Sequence, residues 1–119
     1  MEYLNYILFA LIIWFIVQRF MPTKGVKNIS TQELKAELKD KKKQFIDVRT
    51  QGEFNSYHIS GFNNIPLHQL SKNTDKLLKD KEVIVICQSG MRSQKASKIL
   101  VKAGFSNVIN VKGGVSAWS

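Results

Sequence analysis

The sequence predicts an α/β domain built on a five-stranded parallel sheet and preceded by one transmembrane helix. Strand-like and helix-like segments alternate from Val26 to the C-terminus, which is typical of a parallel sheet covered by helices on both faces. Four β-branched residues in a row, Val83–Ile86, predict a buried strand. An apolar stretch, Tyr6–Val17, predicts the membrane helix.

The predicted anchor covers residues 1–22. Widening the apolar stretch to Tyr3–Met21 admits only Asn5, Gln18 and Arg19 as polar residues. A helix of that length spans about 28 Å, close to the hydrocarbon thickness of a bilayer. Pro22 is expected to end the helix, so residues 23–119 form the second domain.

This segment has two other interpretations: a cleaved signal peptide is disfavoured, and an interfacial or re-entrant helix stays open. A cleaved signal peptide would need a basic start and a small-residue cleavage site, and the segment shows neither. An interfacial or re-entrant helix stays open, because the strictly apolar run is short. Arg19, Lys24 and Lys27 follow the segment and Glu2 precedes it. The positive-inside rule then predicts a single-pass protein of the cell membrane with its C-terminal domain in the cytoplasm.

The strands and helices of residues 23–119 follow from hydrophobic periodicity and capping signals. Ser30 and Glu33 have the spacing of a capping box, and Gly104 is placed to end a helix. The predicted strands are Val26–Ile29, Gln44–Val48, Asn64–Pro66, Val83–Cys87 and Val108–Val111. The predicted helices are Thr31–Asp40, one or two turns within Thr50–Tyr57, Leu67–Lys79 and Arg92–Ala103.

Cys87, the only cysteine, ends the most apolar strand, and a helical pattern starts shortly after Gly90. A helix dipole and free backbone N–H groups favour an anion at that position. A thiol placed there is expected to form a nucleophilic thiolate. The alternative is a small buried apolar side chain. The flanking strand, glycine, arginine and helix start favour the nucleophile.

The loop after Cys87 is expected to hold an anion with successive N–H groups, and Arg92 adds a cation that can orient an oxyanion. Ser93 is expected to cap the helix. The predicted substrate-binding residues are Gln88, Ser89, Gly90, Met91 and Arg92.

Asp47 and Arg49 end a neighbouring strand, at the edge where parallel sheets bind ligands. They could support the loop through an ion pair or hydrogen bonds, or they could form a structural network at the strand end. The structural network is favoured. His58 has no sequence feature that pairs it with Cys87, so a packed loop histidine is favoured over a general base.

Composition excludes several classes of function. A single cysteine excludes a disulfide framework and a multi-cysteine metal site, and the two histidines lack metal-ligand spacing. We therefore expect no metal and no cofactor. The net charge is +9, but the lysines are spread over several segments without interleaved aromatic residues. This pattern favours a solvated basic surface over a nucleic-acid partner.

Several short motifs, in this order, resemble those of the rhodanese homology domain. The resemblance covers about residues 26–119 and rests on Phe45–Arg49, Glu53-Phe54, His58–Gly61, Asn64–Leu67, Cys87–Ser93, Gly113-Gly114 and Trp118. It implies a three-layer rhodanese-like α/β domain with a five-stranded parallel sheet.

The resemblance also implies a sulfurtransferase of the thiosulfate:cyanide type. Cys87 would take the sulfane sulfur of thiosulfate or a similar donor as a persulfide and pass it to a thiophilic acceptor. The loop N–H groups would stabilise the thiolate and the persulfide, and Arg92 would bind the sulfonate end of the donor. The implied partners are a small sulfur donor and a thiol acceptor, the acceptor protein being unidentified.

Two alternatives remain. The first is a membrane-tethered sulfur-carrier or docking module without efficient turnover. The second is a phosphatase or arsenate reductase of the rhodanese-like type, in which five residues separate the cysteine from the arginine. Here four residues separate Cys87 from Arg92, and the shorter loop suits a single sulfur atom better than a phosphoryl group.

Overall fold

The computed structural model describes residues 2–20 and 25–119. Five strands form one parallel sheet in the order β1-β5-β4-β2-β3, with β4 at its centre. The strands are β1 Val26–Ile29, β2 Gln44–Asp47, β3 Asn63–Asn64, β4 Val83–Ile86 and β5 Val108–Val111. The helices are α1 Glu2–Phe20, α2 Thr31–Glu37, α3 Gln51–Ser56, α4 Leu67–Leu70 and α5 Met91–Lys102, with short 3-10 turns at Thr74–Lys76 and Gly114–Ala117.

Helices cover both faces of the sheet, as the sequence predicts. The side chains of β4 alternate, so Ile84 and Ile86 face the layer that contains Leu34 of α2. Val83 and Val85 face the opposite layer, which is formed mainly by α4 and α5. A strand buried on both faces is expected for the centre of a parallel sheet. The predicted five-stranded parallel α/β architecture is confirmed.

Local sequence explains where the helices begin and end. Ser30 and Glu33 form the predicted capping box at the start of α2. The predicted helix Leu67–Lys79 is wrong in length, because α4 ends at Leu70. The Asn73 side chain donates to the Gln69 carbonyl over 2.6 Å, which offers the backbone a turn instead of a longer helix.

The predicted transmembrane anchor is wrong. Although α1 runs over Glu2–Phe20, no helix in the described ranges is long and apolar enough to cross a bilayer. The unbroken apolar run, Tyr6–Val17, gives only about 18 Å of helix, well short of a hydrocarbon core of about 30 Å. The predicted helix stop at Pro22 and the domain boundary after it lie outside the described residues.

The segment Gly114–Ala117, here called the C-terminal turn, lies against the chain that leaves β4. Val115 and Ser116 donate their N–H groups to the carbonyls of Cys87 and Gln88, each over 2.9 Å. Gly114 makes this approach possible, because a Cβ atom there would lie 2.2 Å from the Cys87 carbonyl oxygen. Its φ of +58° also lies in the left-handed region that favours glycine.

We predict that Gly114→Ala lowers the free energy of unfolding by about 3 kcal/mol. The backbone of Cys87 and Gln88 must shift to make room for the added methyl group. Urea denaturation measures this loss. Gly52→Ala in α3 is the matched control, because a Cβ there meets no atom within 4 Å. That variant should be neutral or about 0.5–1 kcal/mol more stable. Equal stability of the two variants would contradict the close packing of the C-terminal turn.

Candidate active site

Cys87 is the first residue after β4 and lies on the face of the sheet that packs against α5. Its thiol is free, and the residue is only 1% exposed. It belongs to the same buried cluster as Ala96 and Leu100 of α5. The central strand therefore brings the thiol beneath the N-terminal part of this helix.

Gly90 connects the loop to α5 and contacts the sulfur directly. Its amide N–H donates to Cys87 Sγ over 2.9 Å. Gly90 is the N-cap of α5 with a φ of +109°, a conformation that side chains other than glycine rarely adopt. The helix dipole adds a partial positive charge at this end. Both groups place partial positive charge beside the sulfur.

Other amide groups of the loop are available to a bound anion. Within the described part of the chain, the N–H groups of Gln88, Ser89, Met91 and Arg92 donate to no backbone or side-chain acceptor. The last two belong to the first turn of α5, where N–H groups have no intrahelical partner. Such a group of free amides near a helix N-terminus suits a negatively charged ligand.

The C-terminal turn fixes the direction of two of these amides. The carbonyls of Cys87 and Gln88 both point at the C-terminal turn. Because a trans peptide is planar, with its N–H opposite its C=O, the N–H groups of Gln88 and Ser89 point away from it. The turn thereby orients the loop amides before any ligand binds.

Arg49 links β2 to the loop. It is 3% exposed, and its Nη2 and Nε donate to the buried carboxylate of Asp47 over 2.8 and 3.0 Å. Its Nη1 donates to Gln88 Oε1 over 3.1 Å, and Nη2 also donates to the Tyr57 carbonyl. The two predicted supporting residues thus form one network at the strand end, and Arg49 carries that network to the loop.

The side chains of the predicted substrate-binding residues point in different directions. The Gln88 side chain already has protein partners: its Oε1 accepts from Arg49, and its Nε2 donates to Ser116 Oγ over 3.0 Å. The side chains of Ser89 and Met91 are exposed, and Met91 retains 74% of its surface. At these three positions it is therefore the backbone amide, and not the side chain, that is available near the sulfur.

Arg92 is held by a carboxylate of the protein itself. Its Nη1 and Nη2 donate to Glu53 Oε1 and Oε2 over 2.6 and 2.9 Å. These bonds lower the pKa of Glu53 to about 2, with Thr50 adding smaller hydrogen bonds and burial opposing. They also raise the pKa of the Arg92 guanidinium, to which the nearby charges of Glu53, Cys87 and Asp47 contribute less. The remaining N–H groups of the guanidinium are left for a ligand.

His58 lies outside this group of residues. Its ring stacks on Phe54 with the ring centres 3.8 Å apart, and its Nδ1 lies 2.9 Å from the Phe54 carbonyl oxygen. Across the described residues, no group of three His, Cys, Asp or Glu side chains is placed to hold a metal ion.

Four residues that contact the loop or its side chains, Thr50, Glu53, Ser93 and Ser116, were not predicted as site residues from the sequence. Thr50 and Glu53 have capping-box spacing, which was available as a signal for α3 and is present in the structure. Nothing local indicated that Glu53 also reaches Arg92. Ser116 and Ser93 contact the loop through tertiary packing, which sequence spacing does not show.

We predict that Asp47→Asn lowers the free energy of unfolding by about 3–5 kcal/mol, because it leaves the buried Arg49 charge uncompensated. Urea denaturation of the full chain measures the change. Glu37→Gln is the control, since Glu37 pairs with Lys43 at a half-exposed position and such pairs contribute at most about 1 kcal/mol. If Asp47→Asn lowers the free energy of unfolding no more than Glu37→Gln does, the buried pair of Asp47 and Arg49 contributes no more stability than a surface pair.

The low pKa of Glu53 predicts a pH-dependent contribution to stability. A carboxylate whose folded pKa is depressed stabilises the fold fully above its ordinary pKa of 4.5, and this contribution is lost as pH falls toward about 2. Glu53→Gln keeps the helix cap but removes the charge. The difference in melting temperature between wild type and this variant should be largest near neutral pH and shrink steadily below pH 4.5. A constant difference over that range would contradict the ion pair with Arg92.

Comparison with known proteins places the chain in a family. Residues 30–119 match the model of the Rhodanese-like domain. The "Uncharacterized protein YqhL" of Bacillus subtilis is 37% identical over 109 residues, which cover 92% of this chain and 85% of that protein. The "Thiosulfate sulfurtransferase GlpE" of Shewanella oneidensis is 33% identical over 92 residues, covering 77% and 91% respectively.

A solved structure gives the same assignment. The crystal structure of a Rhodanese-like Domain Protein from Staphylococcus aureus superposes with a TM-score of 0.72 at 34% identity, covering 78% of this chain and 91% of that one. Sequence similarity and fold similarity thus lead to the same assignment. This chain belongs to the rhodanese-like domain family, which includes sulfurtransferases.

Proposed function

We propose that the chain moves a sulfane sulfur from thiosulfate or a similar donor to a thiophilic acceptor through a persulfide on Cys87. The observation that carries this proposal is the Gly90 N–H donating to Cys87 Sγ over 2.9 Å in a loop of free amides. A sulfur so placed is favoured as a thiolate, and the same amides are available to an added sulfur that carries the charge after transfer.

The first step forms a bond between Cys87 Sγ and the sulfane sulfur of the donor. For thiosulfate, the thiolate attacks the outer sulfur, the S–S bond of thiosulfate breaks, and sulfite leaves with the bonding electron pair. The outer sulfur keeps the negative charge that it carried in thiosulfate, so the persulfide is an anion whose charge lies on that sulfur. The free amides of Gln88 to Arg92 are proposed to stabilise this charge.

The second step returns Cys87 to its starting state. An acceptor such as cyanide or a thiolate attacks the outer sulfur, and the bond to Sγ breaks with its electron pair going to Sγ. The products are thiocyanate or an acceptor persulfide, together with the Cys87 thiolate. Neither step requires an external oxidant or reductant.

Arg92 is proposed to bind the anionic end of the donor, although Glu53 already engages its two terminal nitrogens. A donor anion would bind through the remaining N–H groups or displace Glu53 from one of them. Because the internal carboxylate partly neutralises the guanidinium, Arg92 attracts any donor anion less strongly than a free arginine would. The short loop, with four residues between Cys87 and Arg92, disfavours the phosphatase and arsenate reductase alternatives.

We predict that thiosulfate adds one sulfur atom to Cys87 and that cyanide removes it. Mass spectrometry of the intact chain and of its peptides measures the addition, and thiocyanate production measures turnover. Cys87→Ser should abolish both. Lys98→Gln on the exposed side of α5 is the control that should retain both.

The possible results of that experiment separate the alternatives. Stoichiometric sulfur uptake with negligible thiocyanate production would favour the sulfur-carrier module. Hydrolysis of an aryl phosphate that depends on Cys87, without sulfur uptake, would overturn the proposal.

A further inference from the structure

Ser93 is a buried residue of α5 that contacts the reacting sulfur. It is 0% exposed, and its Oγ lies 3.3 Å from Cys87 Sγ. The same oxygen lies 3.1 Å from the Gly90 carbonyl oxygen, to which the hydroxyl donates. The sequence predicts only a capping role for Ser93. Gly90 is instead the N-cap of α5, so the Ser93 side chain is not the one that begins the helix.

The direction of these hydrogen bonds depends on the protonation state of Cys87. While Cys87 is a thiol, its S–H donates to Ser93 Oγ, and the Ser93 hydroxyl donates to the Gly90 carbonyl. A thiolate has no proton and only accepts hydrogen bonds. Since the hydroxyl carries one proton and rotates freely about the Cβ–Oγ bond, it can turn from the Gly90 carbonyl to Sγ.

After such a rotation the Gly90 carbonyl still has a hydrogen-bond donor. The Gly90 carbonyl also accepts the Gln94 amide N–H over 3.2 Å, so it keeps one hydrogen bond when the hydroxyl turns away. Burial of Ser93 excludes bulk water as a competing partner, which strengthens a charge-assisted hydrogen bond. The hydroxyl therefore exchanges a neutral acceptor for a charged one at little cost.

We propose that Ser93 is a catalytic residue whose hydroxyl is the second hydrogen-bond donor to the Cys87 thiolate, beside the Gly90 amide. This role rests on the proposed function and adds a residue to it. Sγ bears the negative charge before the donor is attacked and again after the acceptor has taken the outer sulfur. The Ser93 hydroxyl therefore stabilises the nucleophile of the first step and the leaving group of the second.

The same helix offers a matched control. Ser97 is one turn further along α5, is 1% exposed, and donates its hydroxyl to the Ser93 carbonyl over 2.7 Å. Removing either hydroxyl deletes one buried oxygen from α5, but only Ser93 contacts Sγ. The charged groups near the sulfur, Arg92 with Glu53 and Arg49 with Asp47, are unchanged in both variants.

The test is the pH dependence of Cys87 alkylation by iodoacetamide in the full chain, with circular dichroism as the check of folding. Ser93→Ala should raise the midpoint of the pH profile by about one pH unit, the effect of one hydrogen bond to a charged group. Alkylation below the midpoint should then slow about tenfold. Ser97→Ala should leave the midpoint unchanged, and Ser93→Thr, which keeps the hydroxyl, should restore it.

An unchanged midpoint in Ser93→Ala, or equal shifts in the Ser93 and Ser97 variants, would overturn the proposal. If Ser93→Ala fails to fold, the hydroxyl proton of Ser93 in the wild-type chain decides the question by NMR. It should move downfield as Cys87 ionises, and an unmoved resonance would overturn the proposal. Alkylation does not require sulfur transfer, so a shifted midpoint in a chain that takes no sulfur from thiosulfate would support Ser93 while contradicting the proposed function.

Discussion

Two hydrogen bonds from the C-terminal turn to the carbonyls of Cys87 and Gln88 fix the loop on which the proposed chemistry depends. They point the two carbonyls toward Val115 and Ser116, so the following N–H groups point away from the turn. Gly114 allows this contact, since any larger residue would collide with the Cys87 carbonyl. The C-terminal turn thus orients the amides that follow the central strand.

The charges around the sulfur come mainly from the backbone. The two arginines next to the loop are each paired with a carboxylate, Arg49 with Asp47 and Arg92 with Glu53. The loop amides and the N-terminus of α5 have no such partner among the described residues and act as fixed partial positive charges. In this arrangement Arg49 holds the loop through Gln88, while the Gly90 amide and the Ser93 hydroxyl contact the sulfur. The partial positive charge next to the sulfur is thereby supplied by the backbone, while both arginines are paired with carboxylates.

Much of the fold could be predicted from the sequence because its signals are local. The β-branched run of β4, the Ser30 capping box and the glycine before α5 each determine nearby backbone conformation. Parallel strands then bring their carboxyl ends to one edge, which placed Cys87 beside Asp47 and Arg49. The transmembrane prediction was wrong because it extended the apolar run Tyr6–Val17 across polar residues on both sides. The apolar run alone is too short to span a bilayer. The contacts of Glu53 and Ser93 were not predicted, since they join residues from different elements whose distance only the packed fold determines.

The most direct test is an amide NMR spectrum of the full chain before and after sulfur transfer from thiosulfate. The amides of Gln88 to Arg92 should move downfield when the persulfide forms and return after cyanide treatment, because they would donate to the newly charged sulfur. The amides of Val115 and Ser116 should stay in place, since their carbonyl partners do not change. A sulfur gained at Cys87 with the loop amides unmoved would contradict the central claim.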